Sequence, residues 1–272
     1  MGGNRQDRNV RYITPQAIMH GRFDTNPRPQ WTTAVLCFRD LEGSRLLVDR
    51  LGAVPLGYQV ISGMEEFSGN PLPYAHELAI GETKAGVIAR CEWGGPQTAF
   101  VVEELAHIGV NQILGIGAGA SIDPDIPNGS QVVAQTALLT DGTSKAYSDR
   151  AEMKGDPLLC SLALSAGQSL VTRVHPVCTV TTDAIYRETE AQVSTWRAQG
   201  GQVVNMETAA LYAASETCGI RSLWIGHVSD CIVGGQWEEW SDIEDMTVMS
   251  ARLGLEILTQ MLRRAGRETG AA

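Results

Sequence analysis

The sequence predicts an α/β fold in a single domain. Two observations carry this: short apolar runs alternate with longer helix-like segments, and no internal repeat, linker or composition break divides the chain. With 272 residues, 43% of them hydrophobic, there is material for one sizeable core. Residues 1–30 are polar, rich in Pro and Arg, and read as an N-terminal arm. Residues 31–265 read as the domain and residues 266–272 as a frayed tail.

Residues 33–38, TAVLCF, form a first strand, and Arg39-Asp40 leads into a helix ending at Leu51. Residues 54–80 give no clear pattern, because Gly63 and Gly69 interrupt them and Asn70-Pro71-Leu72-Pro73 must be loop. A strand follows at 85–91. Gly94-Gly95-Pro96 opens a helix at 97–107, since proline is tolerated at a helix start, and Gly109 stops it. Residues 112–116 form a strand, with Gly115, Gly117 and Gly119 lining the turn after it. Missing side chains there would let backbone amides approach a ligand, although tight packing explains such glycines equally well. A stiff loop at 123–129 leads to a strand at 131–139. A helix at 157–170, a strand at 174–180 and an exposed helix at 188–199 come next. The last helix covers about 241–264, behind a segment containing Trp237 and Trp240.

The stretch 203–230 reads as strand, helix, strand and holds two acids, Glu207 opening the helix and Asp230 closing the strand. In open α/β sheets the ligand crevice lies outside the carboxyl ends of the strands, so both carboxylates are expected at one crevice. Each acid alone has an ordinary explanation: the helix dipole favours an acid in the first turn, and Ser-Asp after a strand is a common turn. Their spacing makes the pair the stronger signal.

Composition removes several classes of function. The formal net charge is −10 and no Lys/Arg-rich run exists, which argues against nucleic acid and anionic membranes as partners. No stretch approaches the roughly 20 apolar residues of a membrane span, and the N-terminus lacks a signal-peptide core. The six cysteines form no CxxC pair and read as reduced residues of a cytoplasmic protein. The five histidines are dispersed, so neither a metal nor another cofactor is expected.

Several motifs, in one order between residues 34 and 262, resemble the nucleoside phosphorylase and nucleosidase superfamily. They are Gly94-Gly95-Pro96 with Val102-Glu103-Glu104-Leu105; Leu114-Gly115-Ile116-Gly117 with Ile122, Pro124, Ile126 and Gly129; Thr181-Thr182-Asp183-Ala184-Ile185-Tyr186; Asn205-Met206-Glu207; and Val228-Ser229-Asp230. The resemblance implies a twisted mixed central sheet flanked by helices, a small-molecule nucleoside substrate, and a homo-oligomer (dimer, trimer or hexamer). It gives Glu207 the ribose hydroxyls, which a carboxylate can accept bidentately, and Met206 a place beneath the sugar. It gives Asp230 the role of acid at N7 of a purine; uridine phosphorylases lack this Asp. Trp93, Ile185 and Tyr186 would border the sugar and base. His20 would reach a neighbouring subunit's 5′-hydroxyl.

The departures from the family pattern concern the anion site. Gly115 and Ala118 stand where phosphorylases keep a phosphate-binding Arg and Ser/Thr, and Glu65 stands near a second phosphate arginine. A charge-assisted contact is worth roughly 1.5–3 kcal/mol, so the sequence favours water over phosphate as acceptor, with Glu65 or Glu92 as the water-activating base. The alternatives are a phosphorylase with Arg39 or Arg45 compensating, a non-catalytic nucleoside binder, and a specialised biosynthetic enzyme using the same pocket.

Overall fold

Burial on both faces shapes the centre of the molecule. The computed structural model describes residues 11–67, 69–92, 94–239 and 243–269. Strands β1 (Thr33–Cys37) and β5 (Gln112–Ser121) are buried almost throughout, which is why their sequences read as continuous rather than alternating apolar runs. Around them the chain runs α1 (Pro15–Ile18), α2 (Leu41–Leu51), β2 (Val54–Pro55), β3 (Ala75–Ile80), β4 (Thr83–Ile88) and α3 (Gly95–Ile108). Then come β6 (Gln131–Leu139), α4 (Gly142–Tyr147), β7 (Glu152–Lys154), α5 (Pro157–Ser169), β8 (Val174–Thr181) and α6 (Glu190–Ala198). The chain closes with β9 (Val203–Asn205), α7 (Thr208–Thr217), β10 (Arg221–Val233), β11 (Gln236–Glu238) and α8 (Ile243–Thr269).

The sheet is mixed. Strand β5 pairs with β10, β10 with β6, β6 with β8, β8 with β9, and β9 returns to β5, so these strands close into a ring. Strand β1 branches from β5, and β4, β3 and β2 extend outward from it. Helix α7 packs on α3 and α4, while α8 packs on α2 and α5.

The glycines of β5 behave differently from the sequence expectation. They do not form a turn: β5 continues through them to Ser121, and Gly115, Gly117 and Gly119 point the same way along one strand face. A Cβ at Gly115 would lie 2.7 Å from Phe38 Cε2 and 3.2 Å from Trp224 Cδ1. One at Gly117 would lie 2.9 Å from both Glu207 Oε1 and Trp224 Nε1. One at Gly119 would lie 2.6 Å from the Val204 carbonyl. Each glycine makes room for a neighbour that shapes the site. Residues 54–80, unreadable in sequence, supply only the short edge strand β2 and β3, which pairs with it. Of the N-terminal arm, Met19 packs into the core, and Arg11 pairs with Glu103.

Gly115→Ala is expected to cost about 1–3 kcal/mol by overpacking, and adding Phe38→Leu to recover part of it. Urea unfolding of the single and double variants measures both; additive losses would mean that the two positions are not in contact.

Candidate functional site

The site grows from the junction of β9, α7 and β10. Asn205 ends β9 and caps α7: its Oδ1 accepts the Thr208 amide at 3.4 Å, and its Nδ2 donates to the Thr208 hydroxyl. Thr181, at the end of β8, joins the same knot, donating to Asn205 Oδ1 at 3.3 Å and accepting the Ala209 amide at 2.8 Å. The helix is therefore capped without Glu207. Glu207 is not inside the first turn but at the N-cap position, with φ −136°, and its side chain makes no capping bond. It turns inward instead.

Glu207 Oε1 accepts the Trp224 indole N–H at 2.9 Å, and Oε2 accepts the Met206 amide at 2.9 Å. The residue is 5% exposed. Burial drives its carboxyl up from 4.5 to about 7, against the pull of those two donors and of the Arg39 charge. Met206 stands beside it, half-buried.

Asp230 lies farther along β10. The register with β5 slips between Val228, opposite Gly119, and Asp230, opposite Ala120, so Ser229 is the extra residue of a β-bulge. The bulge takes Asp230 out of the alternation followed by Trp224, Gly226 and Val228. Asp230 Oδ1 accepts the Ser229 hydroxyl at 2.7 Å and Oδ2 accepts the Trp237 indole N–H at 2.9 Å. Trp237 is on β11, which folds back along the end of β10.

Glu188 belongs to this corner, although sequence reasoning placed it at the start of an exposed helix. It is half-buried just before α6, and burial, then the charge of Asp230, raises its carboxyl to about 7. Only its position five residues after Asp183 hinted at this. Arg90, also missed, holds a left-handed φ of 55°. Its amide donates to the Ser44 hydroxyl at 3.0 Å, and its Nε to Glu92 at 2.9 Å. Glu92 is thus engaged with a cation.

The remaining sequence candidates are scattered. Glu65 and His20 are exposed, Ile185 is half-exposed, and Tyr186 is 98% exposed. Trp93 and Trp240 lie outside the described residues. Arg45 turns away to the Pro71 carbonyl, whereas Arg39 is buried and its charge is felt by Glu207. Among the described residues no cluster of His, Cys, Asp and Glu could hold a metal, and no helix is long and apolar enough to cross a membrane. A cleft of about 820 Å³ is lined by Arg221 and Ser222 at the start of β10 and by Tyr212 and Glu216 on α7. It includes neither Glu207 nor Asp230, and it carries none of the chemistry described above.

The buried carboxyl of Glu207 makes a pH-dependent contribution. With its folded pKa raised, that contribution is fully present below pH 4.5 and is lost as pH rises through about 7. Glu207→Gln should therefore gain stability relative to wild type across that window, by up to ~3 kcal/mol. Urea unfolding from pH 4.5 to 8 checks this; a difference independent of pH would contradict it.

Comparison with known proteins agrees with this architecture. A model of the phosphorylase superfamily matches residues 51–263. An uncharacterised protein of Acanthamoeba polyphaga mimivirus is 36% identical over 162 residues, covering 60% of this chain and 63% of that protein, so the match spans just under two thirds of the viral chain. A guanosine phosphorylase of Halorubrum lacusprofundi is 29% identical over 165 residues, 60% of this chain and 68% of its own. A uridine phosphorylase of Salmonella typhimurium is 26% identical over 196 residues, 66% of this chain and 76% of its own. With a match over most of its length and the mixed sheet and capped Glu207 helix in place, the chain belongs to the phosphorylase superfamily.

Proposed function

We propose that this protein cleaves the N-glycosidic bond of a purine-type nucleoside and passes the ribosyl group to phosphate. The observation that carries the proposal is the buried Glu207 carboxylate. It is fixed by Trp224 and the Met206 amide, and it keeps acceptor capacity for two further donors. A ribose diol supplies two. Hydroxyl donors favour the ionised form, so sugar binding would draw the Glu207 proton off.

Asp230 supports the purine reading. Its segment Val228-Ser229-Asp230 resembles the catalytic segment of the family's purine enzymes, and the guanosine phosphorylase relative points the same way; the uridine phosphorylase relatives point to a pyrimidine. Cleavage moves negative charge onto the base, and a positioned proton donor speeds such a step by roughly 10²–10⁴. Glu188, whose carboxyl burial and then the charge of Asp230 raise to about 7, is a second candidate acid in this reading.

The names of these two relatives support phosphate as the acceptor, against the preference for water drawn from sequence. One observation favours water: the space beside Gly115 is filled by Phe38, Leu211 and Trp224, leaving none for an arginine there. In this reading His20, which is exposed, acts across a subunit boundary of a homo-oligomer, as the family resemblance implies. Six free cysteines suit a reducing compartment such as the cytoplasm.

The test is product analysis with purine and pyrimidine nucleosides, with and without phosphate. Free purine and ribose 1-phosphate, formed only with phosphate, are expected. Free ribose at a rate indifferent to phosphate would assign water, and no cleavage of any nucleoside would remove the enzymatic reading. Asp230→Asn should lower kcat/KM by roughly 10²–10⁴ while binding persists; unchanged turnover would take Asp230 out of the mechanism.

A further inference from the structure

Arg39 is a cation inside the molecule, 9% exposed, one residue past the Phe38 that fills the Gly115 space. Its Nη1 lies 2.9 Å from His227 Nε2. A guanidinium only donates, so Nε2 accepts and the imidazole proton sits on Nδ1. Nδ1 faces the Ser250 hydroxyl at 3.0 Å. That hydroxyl reaches Gln131 Oε1 at 3.0 Å and the Met246 carbonyl at 3.1 Å, and Gln131 Nε2 donates to the same carbonyl at 3.4 Å. The chain of bonds runs from the end of β1 to the backbone of α8, and His227, Ser250 and Gln131 are all buried.

The strand register explains how Arg39 reaches so far. Cys37 pairs with Ile116, and His227 pairs with Ala118 on the opposite edge of β5. Arg39, two residues beyond Cys37, therefore meets His227 across β5. His227 is held neutral, its imidazole lowered to about 3 by burial and then by Arg39 itself. A second cation there would repel the guanidinium; a neutral acceptor orients it.

One guanidinium nitrogen is engaged by His227. Among the described residues Nε and Nη2 find no protein acceptor, and neither is sealed from solvent. A fixed guanidinium with donors to spare is suited to an oxyanion. We propose that Arg39, oriented by the His227–Ser250–Gln131 chain, holds the acceptor oxyanion of the reaction. It would replace the strand arginine for which the packing at Gly115 leaves no room. This rests on the reading of phosphate as acceptor.

The experiment is calorimetric titration of inorganic phosphate into the wild-type protein and into Arg39→Met, Arg39→Lys and Ser250→Ala, each first shown to keep the wild-type circular dichroism. Arg39→Met should weaken phosphate binding roughly 10- to 100-fold. Ser250→Ala, remote from the anion, should weaken it severalfold by releasing His227. Should Arg39→Met fail to fold, Arg39→Lys carries the test through a raised KM for phosphate at unchanged KM for nucleoside. Wild-type protein that takes up no phosphate, or an Arg39 variant that binds it as wild type does, overturns the proposal. So does Ser250→Ala with wild-type affinity, which would leave the chain no orienting role. Binding is read without turnover. Arg39-dependent binding without nucleoside cleavage would leave the anion site standing and remove the glycosidic reading; cleavage without it would do the reverse.

Discussion

A carboxylate almost out of reach of water must be met by donors, and around Glu207 the structure is arranged to provide them. The Trp224 indole comes from β10 and the Met206 amide from the turn before α7. The indole contact depends on Gly117, since any side chain there would occupy the space of the Oε1–Nε1 bond. Both contacts depend on Asn205 and Thr181 capping α7, which frees Glu207 from the role that acids at helix starts ordinarily take. Loss of the indole donor would leave a buried acceptor unsatisfied, at about 1–3 kcal/mol. Burial nevertheless outweighs these donors and raises the Glu207 carboxyl to about 7.

The other charged groups are placed by irregularities rather than by regular strands. Asp230 owes its position to the bulge at Ser229 and is tied to a short returning strand through Trp237. Arg39 stands just past the end of β1 and is held by His227 on β10. Arg90 stands in a left-handed conformation beside Glu92. Strained or unpaired backbone of this kind gathers where side chains must be aimed. The regular ring of strands supplies the rigid frame against which these irregularities are set.

Much of the fold was legible in the sequence because buried strands and capped helices leave local marks. The run TAVLCF, the Pro at the start of α5 and the Gly after α3 gave their elements within a residue or two. Glu207 and Asp230 were singled out through their motifs, and the structure places the first at the head of α7 and the second on β10. What escaped depends on contacts far apart in the chain. The glycines of β5 read as a turn because nothing local says that Phe38, Glu207 and Val204 need their space. Glu188 read as a solvated helix residue because neither its burial nor the charge of Asp230, 42 positions away, has a local mark. The link from Arg39 to His227 spans 188 positions and has no local signature. Residues 54–80 carry little regular structure, so no periodicity was there to read.

In the proposed function Glu207 is the group that grips the ribose diol. The most direct measurement is the affinity of wild type and Glu207→Gln for a purine ribonucleoside and for its 2′,3′-dideoxy analogue. Wild type should bind the dideoxy compound roughly 10- to 100-fold more weakly, as expected for charge-assisted hydrogen bonds, and the variant should distinguish the two far less. Equal affinity of wild type for both compounds would contradict the account, because the sugar hydroxyls would then be held elsewhere or not at all.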